Sequence, residues 1–114
     1  MTNKIAILLE KFSSFKLEPF EQNDEPIDLL INATSAALSG PFDWDIQDQL
    51  SKETIFYDLS YGKASENFFS WSSQFSKNRF DGTGMLIAQA AFSFQLWFDT
   101  FPDISNIDLS KLND

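Results

Sequence analysis

Histidine and cysteine are both absent, which leaves carboxylates, amines, one guanidinium, hydroxyls and amides as the side chains available for chemistry. Their absence excludes most transition-metal sites and nearly all nucleophile–base pairs. Two carboxylates suffice for glycoside hydrolysis when one of them has a raised pKa, so carboxylate chemistry remains open. We therefore predict no catalytic residue, no metal and no cofactor, and we keep a carboxylate enzyme as an alternative.

The carboxylates are concentrated in one part of the chain. Residues 17–51 contain eight of them and no basic side chain. Residues 18–58, the acidic segment, hold ten acids and one lysine, so this segment alone accounts for the net charge of −9. A segregated field of this kind can steer and hold a cationic partner.

Within the acidic segment, Phe42 and Trp44 are interleaved with three aspartates. Aromatic side chains are common at the centres of protein interfaces, and flanking carboxylates would add anionic contacts. Alternatively, the two aromatic residues pack inward while the aspartates cap a helix. The predicted partner-binding residues are Glu21, Asp24, Glu25, Asp28, Phe42, Asp43, Trp44, Asp45, Asp48, Tyr57 and Asp58.

The same segment does not fit a calcium loop of the EF-hand type. With Asp43 in the first position and Asp45 in the third, the sixth position is Asp48 where glycine is needed. The twelfth position is Thr54 where a glutamate is needed. No metal site is predicted.

Three further motifs indicate no ligand. Gly82-Thr83-Gly84 is typical of a turn before a helix, and it lacks the Lys-Ser/Thr ending of a phosphate-binding loop. Asn32-Ala33-Thr34 matches a glycosylation sequon but falls inside a predicted helix. The only local basic cluster, residues 77–79, is too small to bind nucleic acid against a net charge of −9.

The apolar spacing predicts helices throughout the chain. They cover residues 3–14, with Thr2 as a cap, then 25–40, a short turn at 43–50, residues 65–77, residues 83–99 and a weak terminal helix in 103–114. Residues 52–60 could be helix or strand, and helix is favoured. The helix at 83–99 is apolar on nearly all sides, which is typical of a central core helix. We predict an all-α, single-domain bundle of about five helices around it, an acidic helical domain spanning residues 1–114.

The chain length fits one domain, and eighteen aromatic residues allow a substantial core. The sequence shows no signal-peptide pattern and no apolar run long enough to cross a bilayer. A cytoplasmic protein without membrane contact is predicted.

A small, strongly acidic domain with segregated charge resembles the immunity proteins of bacterial toxin–immunity pairs, including those against colicins and contact-dependent growth-inhibition toxins. The resemblance implies a non-enzymatic antitoxin that binds a cognate basic toxin, a nuclease domain, and is a monomer or weak homo-oligomer when free. Three alternatives remain open besides the carboxylate enzyme. They are a structural or adaptor subunit whose charge maintains solubility, a phage-type inhibitor and a nucleic-acid mimic.

Overall fold

The chain folds into a parallel β-sheet with helices, as seen in a computed structural model that describes residues 3–16, 18–20 and 23–113. The helices are α1 (Asn3–Lys11), α2 (Glu66–Ser72) and α3 (Thr83–Phe98). The strands are β1 (Leu29–Asn32), β2 (Ile55–Asp58) and β3 (Arg79–Phe80). Short 3₁₀ turns occupy Ala36–Leu38, Gln47–Gln49, Gly62–Ser65 and Leu109–Asn113.

The three strands are all parallel and lie in the order β1-β2-β3. Leu29 is opposite Ile55, Asn32 is opposite Asp58, and Phe56 is opposite Arg79. Two neighbouring parallel strands need a crossover connection between them. Residues 33–54 provide the first crossover, and residues 59–78, which include α2, provide the second. Because the three strands are parallel, their carboxyl ends lie along one edge of the sheet.

The predicted all-α bundle is wrong, and the error lies in the segments that form β1 and β2. Residues 25–40 are not a helix but contain β1 followed by a 3₁₀ turn, and residues 52–60 contain β2 rather than the favoured helix. A strand of a parallel sheet is often apolar without alternation because both of its faces can be covered. Such a run of four residues also fits the spacing of a helix.

The core is an aromatic cluster between the sheet and α2. Phe42, Phe56, Phe68 and Trp71 are buried together with Ala37 and Ile46. The ring centroids of Phe42 and Phe68 are 5.1 Å apart, and those of Phe56 and Trp71 are 5.8 Å apart. Both pairs meet edge to face, a favourable geometry for aromatic rings. These contacts hold the first crossover and α2 against β2.

The predicted helix at 83–99 exists as α3, but its predicted central, buried position is wrong. Among the residues of α3, only Ala91 is buried. The helix begins after Gly82 and ends at Asp99, which has a left-handed φ of 52° and donates its N–H to the Gln95 carbonyl at 2.8 Å. Helix α3 therefore lies at the surface of this chain.

The remaining helix predictions are partly right. The first helix ends at Lys11 instead of residue 14, and its proposed cap Thr2 lies outside the described residues. The only helical structure in residues 43–50 and 103–113 is a 3₁₀ turn in each, and the helix predicted at 65–77 is the shorter α2. Within the described part of the chain, no helix is long and apolar enough to cross a membrane.

Candidate functional site at the carboxyl edge of the sheet

Short segments with polar side chains end or follow the three strands. They are residues 32–34 after β1, 58–61 after β2 and 81–83 after β3. In open α/β sheets, ligands bind in the crevice outside the carboxyl ends of the strands. We therefore take this edge as the candidate site.

A buried amide connects the ends of β1 and β2. Asn32 Nδ2 donates to Asp58 Oδ1 at 3.4 Å, and Asn32 Oδ1 accepts hydrogen bonds from the Thr34 N–H at 3.1 Å and the Thr34 hydroxyl at 2.7 Å. The Asn32 carbonyl also accepts the Leu59 N–H at 3.1 Å. One side chain thus fixes the turn after β1 and joins it to the neighbouring strand.

Asp58 holds the loop that follows β2. Its Oδ1 atom also accepts the Ser60 N–H at 2.9 Å, and the residue is fully buried. Its Oδ2 atom is buried and has no hydrogen-bond partner among the described residues. A buried polar atom without a partner costs free energy, so Asp58 Oδ2 is a destabilising feature of the edge.

The β2 loop and the start of α3 approach each other at Gly82. The Gly82 N–H donates to the Ser60 carbonyl at 2.8 Å. A Cβ atom on Gly82 would lie 2.8 Å from the Leu59 carbonyl carbon and closer still to its oxygen, so only glycine fits. The Thr83 N–H is bound by Asp81 Oδ1 at 3.0 Å, which fixes the first turn of α3. The backbone of the loop after β2 and that of the turn before α3 are therefore in direct contact at this edge.

A polar cavity of about 420 Å³ adjoins this edge between the loop after β2 and β3. Lys63, Glu66 and Asp81 bring charged groups to its wall. Gly62 has a φ of 58° there, a conformation that glycine adopts without strain. Tyr61, which precedes it, is exposed at the rim. The described residues contain no group of three or more side chains suited to a metal ion.

The predicted partner-binding residues are divided between surface and interior. Asp24, Glu25, Asp28, Asp43, Asp45 and Asp48 are exposed, Trp44 and Tyr57 are half-buried, Phe42 is in the core, and Glu21 lies outside the described residues. Asp43, Trp44 and Asp45 line an apolar cavity of about 520 Å³ together with Leu30 of β1. Asp58 alone reaches the candidate site. That these residues form a partner-binding surface stays a prediction.

The residues that the sequence reasoning missed are Asn32, Thr34 and Gly82. Asn32-Ala33-Thr34 was noticed only as a sequon, and Gly82-Thr83-Gly84 only as a turn. For Asn32 and Thr34 the available signal was their position directly after the apolar run of residues 29–31. Gly82 follows Arg79, Phe80 and Asp81, so no apolar run precedes it. A repeated pattern of apolar run, polar turn and helix is typical of an α/β sheet.

The strand order permits a comparison with larger α/β sheets. Three parallel strands in sequential order also occur within each half of a doubly wound sheet. Among the described residues, β1 pairs only with β2, and Leu29 and Ile31 are exposed on it. The G-x-G-x-x-G turn that binds the pyrophosphate in such folds does not occur in the sequence. The fold and the edge thus define an α/β protein with a three-stranded parallel sheet.

Comparison with known proteins shows that the sequence is similar to one family of enzymes. The family model of the shikimate 5'-dehydrogenase C-terminal domain matches residues 82–107. The chain is 35% identical over 109 residues to the NADP(+) shikimate dehydrogenase of Colwellia psychrerythraea, covering 92% of this chain and 40% of that protein. It is 36% identical over 121 residues to that of Buchnera aphidicola from Cinara cedri, covering 96% and 41%. The chain spans about two fifths of the length of these relatives.

These similarities correct the functional expectations. The resemblance to immunity proteins, and with it the antitoxin function and the basic toxin partner, is wrong because the relatives are dehydrogenases. The expectation of a non-enzymatic protein is overturned by the same finding. Segregated negative charge is compatible with many functions, whereas the apolar runs at residues 29–31 and 55–57 form strands of the sheet.

Proposed function

We propose that this chain forms the C-terminal part of an NADP-dependent shikimate dehydrogenase and contributes one half of its dinucleotide site. The observation that carries the proposal is the convergence of three strand ends at one edge, where Gly82 lies against the Leu59 backbone and is the first residue of the family match. We further propose a cytoplasmic location, in keeping with such an enzyme.

The residues at the carboxyl edge of the sheet fit one of the two mononucleotide-binding halves of a doubly wound fold. In doubly wound folds the first half carries the Gly-rich turn and the acidic residue for the adenosine ribose, so the second half takes the nicotinamide side. The loops 58–61 and 81–83 offer backbone groups and a surface held in place by the Asn32–Asp58 hydrogen bond. NADP, when bound, supplies the hydride acceptor.

In this proposal the residues of this chain bind and orient the nicotinamide half of NADP. The Asn32–Asp58 pair and the Gly82–Ser60 contact fix the loops before ligand arrives, which reduces the ordering that binding costs. The Gly-rich turn and the groups that exchange a proton with shikimate come from the remaining three fifths of such an enzyme.

The proposal is tested by following backbone amide resonances of the chain during titration with two halves of the cofactor. Nicotinamide mononucleotide should shift the amides of Thr34, Ser60 and Thr83, with a dissociation constant on the order of 1 mM because a half-site offers few contacts. Adenosine 2',5'-bisphosphate, which represents the other half, is the matched control and should leave them unchanged. Equal shifts with both ligands, or none with either, would contradict the proposal.

A further inference from the structure

A cavity of about 270 Å³ lies beside the amino end of β1, away from the carboxyl edge. We call it the amino-edge cavity. Its wall combines the segment before β1 with a turn of the first crossover, and its residues are Asn23, Asp24, Ile46, Asp48 and Gln49. The Ile27 N–H donates to the Gln49 carbonyl at 2.9 Å and holds the two segments side by side.

Gln49 brings a buried amide to the amino-edge cavity. The residue is 5% exposed. Its Nε2 donates to Asn23 Oδ1 at 3.2 Å and to the Glu25 carbonyl at 3.0 Å, and these two acceptors fix the orientation of the amide. Its Oε1 atom is buried and has no hydrogen-bond partner among the described residues. A ligand that donates to this oxygen would satisfy an acceptor that the described chain leaves unpaired.

Two carboxylates belong to the same wall. Asp24 and Asp48 are exposed, and neither forms an ion pair within the described part of the chain. Asn23 Oδ1, in contrast, already accepts the Glu25 N–H at 2.7 Å as well as the Gln49 amide. The cavity therefore offers three oxygen acceptor groups, two of them charged, to a cationic ligand that carries hydrogen-bond donors.

The number of acceptors fits a primary ammonium group, which has three N–H donors and no acceptor. Calcium takes about six to eight oxygen ligands, and the described residues contain no cluster of three or more acidic side chains for such an ion. Ile46 also lines the cavity, and it belongs to the wall of the apolar cavity of about 520 Å³ as well. An alkyl chain attached to the ammonium would therefore meet apolar surface next to the three acceptors.

We propose that the amino-edge cavity binds the primary ammonium group of a linear alkylamine. Gln49 Oε1 and the carboxylates of Asp24 and Asp48 accept its three N–H groups, and Ile46 contacts the adjoining methylene groups. This site does not depend on the proposed function, because its residues lie before β1 and in the first crossover, away from the carboxyl edge.

The first experiment titrates the 114-residue chain with butylammonium chloride and follows the side-chain amide resonances of Gln49 and of its exposed neighbour Gln47. Donation to Oε1 polarises the amide, so the Gln49 resonances should shift with a dissociation constant on the order of 1 mM, while those of Gln47 stay in place. Tetramethylammonium chloride is the matched ligand, since it has the same charge and no N–H donor. Equal shifts of Gln49 with both ligands, or none with butylammonium, would overturn the inference.

The second experiment compares two double variants that both raise the net charge from −9 to −7. Asp24→Asn with Asp48→Asn changes the wall of the cavity, and the dissociation constant of butylammonium should rise about tenfold because two charged acceptors are lost. Asp28→Asn with Glu53→Gln changes two exposed acids of the acidic segment outside the wall and should alter it less than about twofold. All four side chains are exposed, and circular dichroism checks that both variants keep the fold. Equal weakening in the two variants would mean that diffuse charge alone attracts the ligand, which would overturn the inference.

Magnesium chloride provides the last comparison. A shift of the Gln49 amide with magnesium and none with butylammonium would indicate a metal site and overturn the inference. None of these measurements uses a nucleotide, and the nicotinamide titration follows amides at the carboxyl edge. Failure of the amine site would therefore leave the dinucleotide proposal standing, and the reverse also holds.

Discussion

At the scale of single residues, the candidate site depends largely on uncharged groups. A buried amide, Asn32, joins two strands, and a glycine, Gly82, allows two loops to touch. The exposed carboxylates between Asp24 and Asp48 lie outside this edge, whereas Asp58 and Asp81 belong to it. The positions of charged side chains in the sequence were therefore a poor guide to the site, because contacts between backbone segments form much of this edge.

The two glycines at the start of α3 provide a matched test of this view. Gly82→Ala should lower the free energy of unfolding by about 1–3 kcal/mol or more, since its methyl group meets the Leu59 backbone. Gly84→Ala meets nothing within 4 Å and should raise that free energy by about 0.5 kcal/mol through improved helix propensity. Urea denaturation followed by circular dichroism measures both.

Equal effects of the two substitutions would contradict the close approach of the β2 loop and α3. In that case the candidate edge would lose its main geometric support.

At the scale of elements, the C-terminal segment after α3 is organised by two similar turns. Asp103 Oδ1 accepts the Ser105 hydroxyl at 2.6 Å and the Ser105 N–H at 2.9 Å. Asp108 binds Ser110 in the same way, at 2.6 Å and 3.0 Å. These turns shape the segment that covers one side of α3.

The turns predict a specific acid response of this segment. The hydrogen bonds from Ser105, first from its hydroxyl and then from its backbone, hold the pKa of Asp103 below the ordinary value of 3.8. A lowered pKa in the folded state means that the stabilising contribution is present above pH 3.8 and is lost as the pH falls through the folded value. Carboxyl carbon chemical shifts measured against pH should therefore give a midpoint below 3.8.

Ser105→Ala removes the larger of the two causes and should move the midpoint of Asp103 up toward 3.8. Asp108, held by Ser110, serves as an internal control and should keep its lowered pKa. An unchanged Asp103 midpoint in Ser105→Ala would show that the hydroxyl does not set the pKa.

At the scale of the whole molecule, negative charge and exposed apolar surface occur together. Six carboxylates of the acidic segment, from Asp24 to Asp48, are exposed, and α3 exposes Phe92, Leu96 and Trp97. Among the described residues, one ion pair is formed, between Lys16 and Glu18 at 3.4 Å. Because the net charge of −9 resides in the acidic segment, self-repulsion should lower the stability of the folded state.

Salt should relieve that repulsion. Between about 0.01 M and about 0.15 M salt the Debye length falls from about 30 Å to about 8 Å, so the free energy of unfolding should rise. The triple variant Asp24→Asn, Asp28→Asn, Asp43→Asn raises the net charge to −6 and should reduce this salt dependence. Urea denaturation at several salt concentrations measures the slope.

The control for charge position is the variant Glu10→Gln, Glu66→Gln, Asp99→Asn, which also has a net charge of −6 but changes acids outside the acidic segment. We expect a smaller reduction of the slope than in the first triple variant. Identical slopes would mean that only the total charge matters and that its segregation has no energetic consequence.

The sequence alone determined the residue-level properties, namely the segregated charge, the abundance of aromatic core residues and the bounds of α3 to within one residue. These depend on composition and on a long periodic run, which are local properties of the chain. Only the tertiary structure decided that residues 29–32 and 55–58 are parallel strands, because four apolar residues fit either period and the pairing joins positions 26 apart. It also decided that Asn32, Asp58 and Gly82 share one edge and that α3 is exposed. Those facts depend on contacts between distant segments, which no local pattern contains.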